Sequence, residues 1–398
     1  MNLRSTFILF VNLFFISSVF DPGDLLVGLK IPLFVLCFVF FLLDLLRNRN
    51  KKFPVSLLYI NFTILFIPIV SFLLNLFSNS SIPSVGLDLY KGYIIITLSI
   101  FLYHFKYLAI SSFSKILTVL SLLIITVYFV VTIYPELYNV IYLWGLKYQI
   151  FLIGERSYDP DVDSLWSIYF VTSPLLVIPI AYYIHLFYLN KNKLYLIFFL
   201  INVIAMFLAG TRNNMIVSII VPVILFFYYT HSKLLVLIVS MSLFGSVLYF
   251  NVDIIQAMFS LNEPSNETKF GLLSDYAKIF SDPITLLFGQ GLGSDHFWES
   301  RGKFYFITEL TYLEIYRNFG LIMGAFLNVL ILLPIFFFYF KKYTKDYFYL
   351  ILAYFFYLIM SATNPIFFMS MGMIFFSIIL SVLFSLMYSN TREIPSCI

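Results

Sequence analysis

Charged residues are scarce in this sequence, at 11% of the 398 positions. A soluble globular domain carries roughly 25% charged residues to keep its surface wet. Such a chain cannot cover itself with polar groups, which excludes an ordinary soluble fold. Cysteine is nearly absent too. Cys37 falls in an apolar run and Cys397 at the C-terminal end, which excludes a disulfide framework or a cysteine metal cluster. The four histidines are scattered and build no metal site. The net charge of +4 sits mostly in short basic segments between apolar runs and implies no nucleic-acid partner. No internal repeat, low-complexity tail or soluble domain is evident. The first apolar run follows Arg4 but has no small-residue cleavage site after it, only Asp21-Pro22-Gly23-Asp24. It therefore reads as a retained helix rather than a signal peptide.

What is abundant is apolar and aromatic: 61% hydrophobic residues, with 49 Phe and 30 Tyr. About 20 apolar residues cross one bilayer, so length counts spans here, and aromatic rings suit lipid-facing and interfacial positions. Apolar windows predict twelve spans, near 5–20, 25–46, 55–77, 89–105, 112–134, 165–189, 194–209, 214–230, 234–250, 318–340, 347–363 and 365–388. The fold class expected is thus an all-α polytopic membrane protein, one transmembrane domain over 1–398 with both termini cytoplasmic. With that orientation, 14 of the 24 basic residues and three of the 20 acids face the cytoplasm. The positive-inside rule asks for that bias.

Two outer segments are too long for simple turns, 135–164 and 251–317. Long loops with structure of their own usually carry function. The second ends in a pattern expected to form an amphipathic helix at the membrane surface, with Leu310, Leu313, Ile315 and Phe319 among polar residues.

Chemistry concentrates on this outer side. Arg212 sits in the short turn Ala209-Gly210-Thr211-Arg212-Asn213-Asn214. It must meet water, a partner or an anion, and either an anionic ligand or lipid phosphates would serve. Asn213 and Asn214 can cap the next helix or add donors for an anion. In Phe288-Gly289-Gln290-Gly291-Leu292-Gly293 the alternating glycines permit close backbone approach, or simply a flexible turn. His296, Glu299, Arg301 and Lys303 follow as a dense set of ionisable groups, fitting either a site or a solvated loop. In a helix Glu309, Tyr312 and Tyr316 would share one face, while Glu314 and Arg317 fall three apart and could pair. Glu309 has no base three or four positions away, which leaves it free for chemistry or for a more distant salt bridge. Asp161-Val162-Asp163 has the form of a metal or donor motif, but little else supports it.

Gly210-Thr211-Arg212 at a span junction, the Phe-Gly-x-Gly-x-Gly run, then Glu309-x-x-Tyr312-Leu313 and Phe319-Gly320-Leu321-Ile322 together resemble the O-antigen polymerase (Wzy) family. That family is related to the O-antigen ligases. The likeness spans most of the chain as topology, but only 209–214 and 288–322 as sequence. It implies a multi-pass enzyme of the bacterial inner membrane that joins undecaprenyl-diphosphate-linked oligosaccharide repeats on the periplasmic face. The transfer would invert the anomeric centre and need no metal or cofactor. Membrane lipids and a chain-length regulator protein are the further partners implied. In the ligases a histidine stands eleven positions before the closing glycine; counting back from Gly320, this chain has Glu309 there. The expected roles follow. Glu309 acts as general base. Arg212, Arg301 and Lys303, then Arg156 and Arg317, meet the diphosphate. Tyr312, Asn213 and His296 meet sugar. A ligase-like glycosyltransferase and a twelve-span oligosaccharide transporter or flippase are the competing readings. Against the transporter, the two halves of the chain differ and the ionisable groups gather at one surface rather than mid-membrane.

Overall fold

The computed structural model describes residues 2–48, 52–77, 83–156, 165–230, 232–233, 264–340, 344–368 and 370–388. Over these the chain is a helical bundle. Its first part comprises α1 (Leu3–Phe20), α2 (Lys30–Arg47), α3 (Val55–Phe77), α4 (Pro83–Ile94), α5 (Leu98–His104), α6 (Ile110–Ile133) and α7 (Tyr138–Tyr148). Strands β1 (Phe151–Arg156) and β2 (Leu165–Phe170) follow, then α8 (Val177–Asn190), α9 (Leu194–Leu208) and α10 (Arg212–Tyr229). The rest comprises α11 (Pro264–Phe280), α12 (Pro283–Phe288), β3 (His296–Trp298), β4 (Lys303–Tyr305), α13 (Thr311–Phe340), α14 (Thr344–Ser361) and α15 (Ser370–Tyr388). Helix dominates because lipid offers no partner to a free N–H or C=O, so an apolar run must close its hydrogen bonds within itself.

Among the described residues, eight helical stretches are long and apolar enough to cross a membrane. They are Leu3–Phe20, Val55–Leu76, Ser84–His104, Ile110–Ile133, Ser173–Asn190, Arg212–Tyr229, Thr311–Tyr339 and Ser370–Tyr388. Of the other four expected spans, α2 is helical but holds Lys30, Asp44 and Arg47, and α9 and α14 are shorter apolar helices. The expected span 234–250 lies outside the described residues. The chain is therefore a multi-pass helical protein, with eight such helices among the described residues.

Burial shows which helices sit at the centre. In the apolar 18-residue window of α15 89% of residues are buried and in that of Ser173–Asn190 78%, against 33–50% in the other six stretches. Those six each show an apolar face to the outside, with Phe62 and Ile133 among the most exposed side chains. In water such faces would aggregate; in a bilayer they meet acyl chains. Between helices, polar side chains bond one another. Asn61 on α3 donates to Ser99 on α5 at 2.9 Å, and Ser121 on α6 donates to Asn202 on α9 at 2.8 Å. Interhelical bonds of this kind contribute about 0.6 kcal/mol each.

Two expectations are corrected. The run 165–189 is not helical throughout: its first six residues form β2, antiparallel to β1 with Phe151 opposite Phe170 and Ile153 opposite Ile168. Strand wins there because Ile168 and Phe170 alternate inward with buried Phe151 and Ile153, a period of two that a helix cannot satisfy. With the second hairpin, β3 against β4, the all-α expectation gains two small antiparallel ribbons. The surface helix expected to end the 251–317 segment also differs. It starts at Thr311, and its polar residues Glu314, Arg317 and Asn318 are buried along with Ile315 and Phe319. Their polar groups find partners inside the protein, which removes the reason to face water.

Candidate functional site

The described part of the long segment, 264–310, folds into a cap on one end of the bundle. Leu272, Tyr276 and Ile279 of α11 pack on Trp298, and Tyr305, Leu310 and Leu313 close this small apolar core. The glycine-rich turn seats the cap on the membrane helices. Gly291 lies so close to α3 that a Cβ there would overlap Asn75, and a Cβ on Gly293 would stand 2.6 Å from Gly86 at the start of α4. Asn75 donates to Leu292 O at 2.9 Å, and Ser71 accepts from Leu292 N at 2.9 Å. The glycines thus serve close backbone approach, and the turn is held at both ends.

The same turn supports a break in α13. Gly320 takes φ 71° and ψ 176°, which interrupts the helix between its first nine residues and its membrane-crossing part. A break frees carbonyls, and those must be satisfied where lipid cannot do so. Arg317 O accepts from Gln290 N at 2.6 Å, and Asn318 O accepts from the Ser71 hydroxyl at 2.6 Å.

Under the cap lies a buried ion pair. Arg317 and Glu314 are both fully buried, three residues apart, with the guanidinium Nε donating to Glu314 Oε1 at 2.9 Å. The remaining Arg317 donors reach Gln290 Oε1 at 2.9 Å, Ser294 Oγ at 3.0 Å and Phe306 O at 2.7 Å. Glu314 also accepts from Tyr276 Oη at 2.5 Å and from Asn318 Nδ2 at 3.1 Å. Burial and the Glu314 charge push the Tyr276 phenol well up, so it keeps its proton and donates it. This corrects the expectation that Arg317 meets a diphosphate: its donors are already used inside the cap, and no face of it is open.

A second cluster is exposed at the β3–β4 hairpin. Arg301 Nη2 donates to Glu309 Oε1 at 2.9 Å, and their side chains are 19% and 43% exposed. Tyr305 lies beneath both cations, with Arg301 Cζ 5.2 Å and Lys303 Nζ 5.0 Å from its ring. The hydrogen bond from Lys303, then its charge and that of Arg301, hold the Tyr305 phenol below its ordinary range. Arg301 is aimed by α11: Asp275 accepts from Ser300 N at 3.1 Å and from Ser300 Oγ at 2.7 Å, fixing the turn just before it. Nε of Arg301 is buried and has no partner among the described residues. His296 stands at the base of the hairpin against Trp298, ring centroids 5.1 Å apart. Burial, then the nearby Arg317 charge, hold its imidazole below the ordinary range, so it is neutral at pH 7.

The third element is a polar corner formed by distant parts of the chain. Thr211 caps α10, accepting from Asn214 N, and so places Arg212 in the first turn. Arg212 Nη1 donates to Asn266 on α11 at 2.6 Å. Its neighbour Asn213 donates to Thr363 Oγ1 at 2.5 Å, on the turn after α14. On the same turn, Asn364 O accepts from Thr311 Oγ1 at 2.7 Å, and Thr311 N donates to Glu309 O at 3.0 Å. Tyr312 Oη reaches the end of α14 as well, donating to Leu358 O at 2.9 Å. Arg212, Asn213, Tyr312 and Glu309 are therefore tied to one corner, with Arg301 on Glu309 and Lys303 two residues further along the hairpin. His296 belongs to the hairpin base and not to the corner. Arg156 closes β1 opposite Leu165.

Sequence reasoning missed Asn266, Asp275, Thr363 and Asn364. The last two had one signal, the polar break Ser361-Ala362-Thr363-Asn364-Pro365 between two apolar runs. Among the described residues no group of three His, Cys, Asp or Glu could hold a metal ion. Compared with protein-family models, curated proteins and solved structures, the chain matches none.

Proposed function

We propose that this chain is a glycosyltransferase of the bacterial inner membrane that polymerises undecaprenyl-diphosphate-linked oligosaccharide repeats on the periplasmic face. The observation that carries the reading is the corner where Glu309 and Arg212, 97 positions apart in sequence, are tied through Thr311, Asn364, Thr363 and Asn213. A base and a fixed cation on one surface are what the transfer needs. Glu309 takes the proton of an acceptor sugar hydroxyl as its oxygen attacks the anomeric carbon of the donor. The carbon–oxygen bond to the lipid diphosphate breaks on the opposite face, so the anomeric centre inverts and undecaprenyl diphosphate leaves with the electron pair. Arg212, Arg301 and Lys303 offset the negative charge that grows on the leaving group. The resemblance to O-antigen polymerases supports the same assignment.

The test in cells is a lipopolysaccharide gel of a strain lacking the gene. Loss of the ladder with a single repeat retained is the expected result. Loss of every repeat would instead indicate a ligase or a flippase.

Arg212→Ala is expected to lower polymer formation about ten- to hundredfold while the protein still inserts. That range corresponds to one charge-assisted hydrogen bond of about 1.5–3 kcal/mol. Arg212→Lys should rescue only part, because an ammonium lacks the planar fork that grips two phosphate oxygens. Wild-type polymer in Arg212→Ala would reduce the residue to an anchor for lipid phosphates. The side of the membrane is tested by reporter fusions. Those at Lys52 and Lys193 should read cytoplasmic and one at Glu267 periplasmic; a cytoplasmic signal at Glu267 would put the cap on the wrong side for this chemistry.

A further inference from the structure

We infer that the turn after α14, with Asn213 and Tyr169, forms a subsite for one sugar ring of the lipid-linked substrate; this rests on the glycosyltransferase reading above. Thr363, Asn364, Asn213 and Tyr169 come from three separate parts of the chain and are each half-buried. They join through Asn213 Nδ2 on Thr363 Oγ1 at 2.5 Å and Tyr169 Oη on Asn364 Oδ1 at 3.3 Å. The turn itself is fixed, since Asn364 Nδ2 donates to Met360 O at 2.9 Å and its carbonyl holds Thr311. A rigid polar corner of this kind is pre-organised for a ligand.

The hydrogen bonds leave capacity in an ordered pattern. The hydroxyl proton of Thr363, the second amide hydrogen of Asn364 and the Asn213 carbonyl make no hydrogen bond to the described residues. Two donors and an acceptor thus remain on adjacent side chains, all neutral. Sugar hydroxyls each donate and accept, so a neighbouring pair on a ring matches that set, whereas a diphosphate only accepts. The cations lie next door, at Arg212 beside Asn213. Recognition is thereby divided: neutral amides and hydroxyls take the sugar, and the arginine takes the diphosphate. Glu309, two residues from Thr311, stands at the border between them.

The experiment uses the full chain in lipid nanodiscs and two probes. One is undecaprenyl diphosphate; the other is undecaprenyl diphosphate carrying its repeat unit, extracted from the source cells. Wild type should bind the glycosylated lipid about tenfold or more tightly than the bare one, the scale of one or two neutral hydrogen bonds. Thr363→Val, which keeps the side-chain shape, and Asn364→Ala should each shrink that preference to about twofold or less. Affinity of Asn364→Ala for the bare lipid should stay at the wild-type value, because the backbone carbonyl that holds Thr311 is untouched. Variants that keep the full preference overturn the subsite, as does equal binding of both lipids by wild type. Failure of wild type to bind the bare lipid diphosphate is a different result, and it overturns the function reading itself.

Discussion

Glu309→Gln is expected to slow polymerisation of lipid-linked repeats by about 10²–10⁴-fold, the usual cost of losing a general base. The substitution preserves shape and leaves an amide oxygen for Arg301, so the hairpin keeps its partner while the proton acceptor is gone. The pair it weakens is part-exposed, at 43% for Glu309 and 19% for Arg301. Surface ion pairs of that kind contribute about 0–1 kcal/mol, so the protein should fold and accumulate as wild type does. A large loss of rate with unchanged melting temperature is thus the signature of a base. Activity within a few-fold of wild type would leave Glu309 as the structural partner of Arg301 and nothing more.

Arg317→Ala should have the opposite signature: a large loss of stability. Glu314 would remain fully buried with its cation removed, and breaking a buried pair in this way costs about 3–5 kcal/mol. The damage would extend through the cap, because the same guanidinium holds Gln290, Ser294 and the Phe306 carbonyl. Thermal unfolding of the detergent-solubilised variant should show a clearly lowered midpoint, or the yield of folded protein should collapse. The double change Glu314→Gln with Arg317→Met removes both charges and should recover much of the loss. An Arg317→Ala protein as stable as wild type would show that the pair does not hold the cap.

Much of the bundle is legible from hydropathy alone, because a lipid-facing helix is specified by its own twenty residues and needs no distant partner. Eight apolar stretches match helices in this way. The β1–β2 hairpin is not legible by the same reading. An apolar window over 165–189 cannot distinguish Leu165–Phe170 from the helix that follows unless its period of two is weighed against Phe151–Arg156. The glycine-rich turn announces close approach, but nothing local says that α3 and Gly320 are what it approaches. Glu314 and Arg317 show their pairing at a spacing of three, yet not their burial, which depends on Tyr276 and the Gly291 turn packing over them. Glu309 has no cation three or four positions away, and its partner Arg301 reaches it from eight residues before, at the β3–β4 hairpin. The corner itself rests on contacts such as Asn213 to Thr363, 150 residues apart. A single sequence carries no local trace of that.

The most direct measurement reconstitutes the purified full chain in proteoliposomes with undecaprenyl-diphosphate-linked repeat units and follows the products by gel and mass spectrometry. The account predicts lipids carrying two or more joined repeats, released undecaprenyl diphosphate in matching amount, and neither product with Glu309→Gln. Repeat units that stay single in the presence of abundant, folded wild-type protein would contradict it.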